Sequence, residues 1–101
     1  MRTSVKNLLN SATALDSVEL AGWVRTRRDS KEFSFMELND GSCLKGIQVI
    51  IDLGTPGSEE VGKMNTGASI RVAGELVESP GKGQSWEVRA TEVELIGGVP
   101  D

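Results

Sequence analysis

The sequence contains no histidine, and its single cysteine is Cys43. Without histidine the chain cannot form a Ser-His-Asp triad or a Cys-His nucleophile pair, and it lacks the imidazole ligands on which most zinc sites depend. One cysteine cannot form an internal disulfide, which is consistent with a reducing compartment. We therefore expect neither a catalytic site nor a metal site in this chain.

Long apolar segments are also missing. No run approaches the roughly 20 residues that span a bilayer, and the polar start of the chain lacks the apolar centre of a signal peptide. We therefore expect a soluble, cytoplasmic protein. With 101 residues, 38% hydrophobic composition and 12 glycines, the chain has room for a single domain of short strands and tight turns.

Positive charge is scarce overall, since the net charge is −4. Its distribution is uneven: residues 1–31 carry six basic and three acidic side chains, whereas the rest of the chain carries five basic and twelve acidic ones. Screening limits each charge to about 10 Å at ordinary salt, so a local basic patch matters more than the total. The pattern permits nucleic-acid binding at a defined site and disfavours general coating of nucleic acid.

Apolar residues that alternate with polar ones predict five β-strands from residue 18 onward. The third strand is expected over 45–52, and the fifth is expected to change phase after Ala90. The side chains predicted to face the core are, in strand order, Val18, Leu20 and Val24; Met36 and Leu38; Ile47, Val49 and Ile51; Ile70, Val72 and Leu76; and Trp86, Val88, Ala90, Val93 and Leu95.

Two short helices and a bend complete the prediction. Thr3 is a candidate N-cap for a helix with Val5, Leu8, Leu9 and Ala12 on one side. Residues 55–64 predict a second helix, headed by a hydroxyl cap at Thr55, with Val61 and Met64 closing one end of the barrel. Gly22 is expected to form a bulge or bend in the first strand.

The order of these elements predicts an all-β fold, the five-stranded OB-fold Greek-key barrel with a helix between its third and fourth strands. The chain is divided into an N-terminal extension (1–16), the barrel (17–97) and the start of a linker (98–101). OB-folds bind oligonucleotides or oligosaccharides on the outer face of the first three strands.

Strand alternation also predicts which polar side chains face outward. If the neighbours of Phe35, Gln48 and Glu87 point into the core, these three residues point out of it, and each lies on a different strand. An exposed ring can stack on a base. The Gln48 amide matches the donor-acceptor edge of uracil, and the Glu87 carboxylate matches the paired N–H groups of guanine. Asn39 is also expected to face outward.

Cations near Phe35 are candidates to hold phosphates. Arg28 is the first candidate. Strict alternation would place it on the same inward face as Val24, so a bulge or the end of the strand must turn its side chain outward. Weaker candidates are Arg25, Arg27, Lys31 and Lys82.

Each of these residues also has a structural interpretation. Phe35 could be an ordinary exposed ring, Gln48 and Glu87 could be solvated strand residues, and the arginines could protect a sheet edge. Trp23 and Trp86 are expected in the core or at its seam, and Cys43 is expected to be a small buried side chain.

Several segments resemble successive landmarks of the anticodon-binding domain of bacterial asparaginyl-tRNA synthetases, over about residues 17–97. The segments are 22–31 (GWVRTRRDSK), 34–35 (SF), 40–43 (DGSC), 47–49 (IQV), 66–67 (TG), 79–84 (SPGKGQ) and 86–87 (WE). The resemblance implies that the domain binds the anticodon loop of tRNA-Asn. It also implies that Phe35 stacks on the central uridine of a GUU anticodon, Gln48 pairs with that uridine, and Arg28 and Glu87 contact anticodon nucleotides.

The same resemblance implies a separate class II catalytic domain that binds ATP, magnesium and asparagine. Nothing in these 101 residues supplies that domain, so we expect no cofactor and no catalysis from this chain alone. The chain is either an excised domain or a free-standing barrel. Two alternatives remain open: a general single-strand-binding module, and a scaffold barrel that binds a protein partner.

Overall fold

The computed structural model describes residues 4–11, 13–43, 46–78 and 86–97. The predicted loop 79–84, the predicted linker 98–101 and the first residue of the predicted third strand lie outside these ranges. The elements are α1 (Val5–Leu9), β1 (Leu15–Asp29), β2 (Phe33–Asn39), β3 (Ile47–Asp52), a 3₁₀ helix (Ser58–Lys63), β4 (Ser69–Glu78) and β5 (Trp86–Gly97). Within the described ranges, every helix is too short and too polar to cross a membrane.

Hydrogen bonds close the five strands into a barrel in the order β1-β2-β3-β5-β4. Among the described strands, β3 and β5 pair in parallel and the other neighbours are antiparallel. The 15-residue β1 is long enough to pair with β4 through its first part and with β2 through its second. This order, with the 3₁₀ helix between β3 and β4, confirms the predicted OB-fold barrel.

The alternation predicted the core correctly. Apart from Leu95, which is half-buried and packs against the core, every side chain predicted to face inward is buried. The predicted phase change in β5 is confirmed as well: Gly74 pairs with Ala90 and Ala73 with Glu92, which leaves Thr91 as the extra residue. Cys43, expected to be buried, is only half-buried against the core.

The N-terminal helix α1 is part of the barrel core, because Val5 and Leu8 are fully buried. Ser4, the residue after the predicted cap, accepts a hydrogen bond from the Asn7 N–H at 3.1 Å and is the N-cap. The indole of Trp86 donates to the backbone carbonyl of Ser11 at 2.9 Å, which fixes the chain that leaves the helix. Helix α1 and Ser11, which follows it, are thus held against the barrel.

The bulge of β1 that reorients Arg28 lies at Arg25, and the strand pairing has no register shift at Gly22, where a bulge or bend was predicted. Val24 pairs with Leu38 and Thr26 with Glu37, so Arg25 is the extra residue of β1 in this register. Gly22 serves another purpose: a Cβ at this position would lie 2.3 Å from the carbonyl oxygen of Asn39. Glycine is needed there because β1 and the end of β2 approach closely.

The helix predicted over 55–64 is a 3₁₀ helix that begins at Ser58. Its N-cap is Gly57, with φ 91°, and the predicted hydroxyl cap is not used. A side chain at Gly57 would collide with the carbonyl of Val93, since the Cβ would lie 1.7 Å from that oxygen. Met64 is fully buried and Val61 packs against the core, as expected for residues that close the barrel end.

Candidate nucleic-acid interface

The outer face of the barrel carries two parallel rows of side chains, two positions apart along each strand. Neighbours in each row are paired in register across β1, β2, β3 and β5, so they are about 4.8 Å apart. The aromatic row consists of Arg28, Phe35, Ile50 and Arg89. The polar row consists of Thr26, Glu37, Gln48 and Glu87.

The bulge at Arg25 determines the orientation of Arg28. Without it, Arg28 would share the inward phase of Val24, as the sequence pattern implies. The extra residue shifts the phase, so that Arg28 pairs with the outward-facing Phe35. The guanidinium carbon of Arg28 lies 5.8 Å from the centroid of the Phe35 ring, within the range of a cation–π contact.

The ring of Phe35 is supported from the side. Phe33 packs edge-on against it, with centroids 4.8 Å apart and ring planes at 79°. This edge-to-face geometry is favourable for aromatic pairs. Phe33 thus holds the Phe35 ring in place, and one face of a half-buried ring can receive a flat partner.

Arg28, Phe35 and Gln48 line one open cleft of about 290 Å³, together with Thr26 and Glu37 from the polar row. The cleft contains a cation, a ring and an amide. These three groups suit, respectively, the phosphate, the face and the edge of an unpaired nucleotide.

Glu87 faces the same side as Gln48, its register neighbour in β3. However, Glu87 is only 3% exposed, which rules out an ordinary solvated strand residue. Among the described residues, its carboxylate has no hydrogen-bond or ion-pair partner. A buried acceptor without a donor costs free energy unless a ligand supplies the donor.

The sequence model of the tRNA anticodon family, described as an OB-fold nucleic acid binding domain, matches residues 18–96. The chain belongs to this family.

Proteins similar to this OB domain include asparagine–tRNA ligases. It is 56% identical over 96 residues to the enzyme of Oleidesulfovibrio alaskensis, which covers 95% of this chain and 21% of that protein. The enzyme of Microcystis aeruginosa is 48% identical over 101 residues, covering 99% of this chain and 22% of that protein. The chain therefore spans about a fifth of the length of the curated relatives it matches.

Solved structures agree on the fold. The asparaginyl-tRNA synthetase of Pyrococcus horikoshii, complexed with asparaginyl-adenylate, superposes with a TM-score of 0.80 at 22% identity, covering 98% of this chain and 23% of that one. An OBody bound to hen egg-white lysozyme superposes with a TM-score of 0.74 at 15% identity, covering 96% and 95% of the two chains. Because the sequence identity is this low, both superpositions show a shared fold and nothing about a shared function.

The weaker cation candidates of the OB domain differ in their surroundings. Arg25 lies 3.9 Å from the carboxylate of Glu37 in the polar row. Arg27 lies opposite the buried Met36 and donates to the carbonyl of Val61 at 2.6 Å, so it anchors the 3₁₀ helix. Lys31 is exposed in the turn between β1 and β2. The remaining candidate, Lys82, lies outside the described residues.

Two expectations about which side chains are exposed were wrong. Trp23 is 43% exposed, because it lies on the outer face where β1 passes from β4 to β2, and Gly41 beneath it offers no side chain to cover the ring. Asn39, expected outside, is only 4% exposed. Its amide oxygen accepts from the Gly41 N–H at 2.7 Å and its amide nitrogen donates to the Cys43 carbonyl at 3.3 Å. Asn39 thus shapes the turn after β2.

Arg89 is a charged member of the two rows that sequence reasoning missed. It follows Glu87 by two positions in β5, so the same alternation that places Glu87 on the outer face also places Arg89 there. The signal was therefore present in the sequence. It was overlooked because Arg89 lies far along the chain from the basic segment 22–31.

A different ion cluster occupies the side of the barrel built by β1, β4 and β5. Arg71 pairs there with Glu19 at 2.8 Å and with Glu92 and Glu94, each at 3.0 Å. The hydrogen bonds that Arg71 donates to these carboxylates, first of all to Glu94, raise the pKa of Arg71 above its ordinary value. The cluster binds the arginine of β4 to acidic neighbours, whereas the two cations of the aromatic row, Arg28 and Arg89, are exposed.

Proposed function

We propose that this OB domain binds the anticodon loop of a tRNA, and that it gives an asparagine–tRNA ligase its selectivity for the GUU anticodon of tRNA-Asn. One observation carries the proposal: Arg28, Phe35 and Gln48 line a single cleft, with Glu87 next to Gln48 in register. The sequence similarity to asparagine–tRNA ligases over 95% of the chain supports the choice of tRNA.

Each side chain has a distinct role in this proposal. The supported ring of Phe35 stacks on the central uridine, a contact worth about 1–3 kcal/mol per base. The amide of Gln48 donates to and accepts from the edge of the same uridine. Glu87, which has no donor among the described residues, accepts the two N–H groups of guanine. Arg28 holds the backbone or stacks beside the Phe35 ring.

Ligation belongs to another part of a longer protein in this proposal. The matched relatives are about five times as long as the matched region, and we expect their class II catalytic domain to bind ATP, magnesium and asparagine. Within the described residues, no group of three His, Cys, Asp or Glu side chains is placed to hold a metal ion. The isolated OB domain is proposed to bind a stem-loop weakly and to make no aminoacyl-tRNA.

The first test is the affinity of the 101-residue chain for a GUU anticodon stem-loop. Phe35→Ala should raise the Kd by roughly 5-fold to 150-fold, the equivalent of about 1–3 kcal/mol. Leu53→Ala is the matched control, because Leu53 is an apolar side chain 80% exposed outside the two rows. Equal affinity of Phe35→Ala and wild type would contradict the proposal.

The same binding assay separates the alternative functions. A general single-strand-binding module would bind unrelated oligonucleotides as tightly as the GUU stem-loop, and its affinity would fall steeply with salt without base preference. A barrel that binds only proteins would bind none of the RNAs.

A further inference from the structure

Arg89 ends the aromatic row on β5, opposite Ile50 of β3 and Glu75 of β4. Its side chain is exposed. Within the described part of the chain it has neither a hydrogen-bond partner nor an ion-pair partner, although Glu75 is its register neighbour. A cross-strand pair would be the ordinary use of such an arginine, and no such pair is formed.

We infer that Arg89 holds a backbone phosphate of the bound RNA strand, at the nucleotide whose base Glu87 reads; the inference rests on the proposed function. Arg28 and Arg89 bracket the row, three strand spacings or about 14 Å apart. Phe35 and Ile50 form an apolar floor between them. A strand whose bases lie on this floor has its charged backbone at the margins, where the two guanidinium groups are.

Electrostatics gives Arg89 a specific task. The carboxylate of Glu87 repels phosphates while it accepts hydrogen bonds from a base. Arg89 is two residues further on the same face of β5, about 7 Å away, so its positive charge offsets that repulsion within the screening distance. Arginine also suits phosphate, because its planar fork donates two hydrogen bonds to two oxygens.

The inference is tested by the salt dependence of GUU stem-loop binding. Arg89→Gln should weaken binding about threefold to tenfold and make the slope of log K against log salt shallower by about 0.7, the contribution of one phosphate contact in a single strand. The loss should be the same for stem-loops with altered anticodons, because a phosphate carries no sequence information. Arg89→Lys should keep the slope.

Two further variants, one expected to have no effect and one expected to tighten binding, serve as controls for Arg89→Gln. Lys6→Gln removes an exposed cation of α1, outside both rows, and should leave affinity and slope unchanged. Glu75→Gln removes the anionic neighbour of Arg89 and should tighten binding if a phosphate lies beside Arg89. These measurements, together with Arg89→Lys, also test the inference if Arg89→Gln impairs folding.

The outcomes distinguish this inference from the proposed function. If Phe35→Ala weakens binding but Arg89→Gln leaves the salt slope unchanged, the phosphate contact is wrong and anticodon binding stands. If neither variant changes binding, both are wrong. If Glu75→Gln has no effect on binding while Arg89→Gln weakens it only for some anticodons, Arg89 contacts a base, and the phosphate assignment is overturned.

Discussion

Glu87 combines three properties that rarely occur together in one carboxylate. It is 3% exposed, it has no hydrogen-bond donor among the described residues, and it lies beside Gln48 on the face that carries the cleft. A buried acceptor without a donor costs about 1–3 kcal/mol. A ligand that supplies two N–H groups would remove this cost, and guanine presents such a pair on its Watson–Crick edge.

We therefore predict that Glu87→Gln relaxes selectivity for guanine more than it lowers total affinity. The amide keeps the size of the side chain but replaces one acceptor by a donor, so discrimination against other bases should fall by about 1–3 kcal/mol. The measurement is the ratio of Kd values for the GUU stem-loop and for stem-loops with another base in place of guanine. Glu59→Gln, an exposed carboxylate of the 3₁₀ helix, is the control. An equal loss for every anticodon would contradict base reading.

Strand alternation predicts the face on which a side chain lies but not whether it is buried there. Alternation placed Phe35 and Gln48 on the outer face because side chains of a strand point to opposite sides in turn. It could not show that Glu87 and Asn39 are buried on that face. Alternation assigns a side of the sheet, whereas burial depends on which other segments cover that side.

At the scale of elements, the bulge in β1 decides whether the site can form. It turns Arg28 toward Phe35, and one residue fewer would turn Arg28 inward. The sequence indicated that a bulge or the end of the strand must reorient Arg28 but did not give its position, and it separately predicted a bulge or bend at Gly22. Glycine is a frequent marker of bulges, but here it marks close contact with the carbonyl of Asn39. A bulge at Arg25 has no local signal, because it arises from the pairing of β1 with both β4 and β2.

The junction between α1 and the turn after β2 predicts a pH effect. The carboxylate of Asp40 accepts from the Val5 N–H at 2.9 Å, from the Ser42 N–H at 3.0 Å and from the Ser42 hydroxyl at 2.6 Å. Partial burial alone would raise the pKa of Asp40, but these hydrogen bonds outweigh it and lower the pKa below its ordinary value of 3.8. The ionised carboxylate thus stabilises the folded state.

The sign of the effect follows from this lowered pKa. The stabilisation is fully present above the ordinary pKa of 3.8 and is lost as the pH falls through the lower value of the folded state. Asp40→Asn should cost about 1 kcal/mol at neutral pH, as for the loss of a helix cap. The difference from wild type should shrink as the solution is acidified.

Urea unfolding across a pH series measures this difference, with Asp16→Asn as the control because Asp16 is exposed at the start of β1. A difference between Asp40→Asn and wild type that stays constant into strong acid would contradict the role assigned to the carboxylate.

For the whole molecule, the net charge of −4 and RNA binding are compatible because the charges are segregated. Arg71 and its three glutamates occupy the side of the barrel built by β1, β4 and β5. Arg28 and Arg89 lie at the two ends of the aromatic row, which crosses β1, β2, β3 and β5.

The fold was predictable because five alternating segments and a helix between the third and fourth suit few architectures. The incorporation of α1 into the core was not predictable, since a five-residue helix depends on tertiary packing.

The claim that the two rows form the RNA-binding surface is tested most directly by an NMR titration of the isotope-labelled chain with a GUU anticodon stem-loop. We predict that the largest amide shift changes occur at Arg28, Phe35, Gln48 and Glu87, and that amides around Arg71 remain unchanged. Shift changes centred on Arg71, or an unresponsive Phe35 and Gln48 at saturating RNA, would contradict the claim that the two rows form the RNA-binding surface.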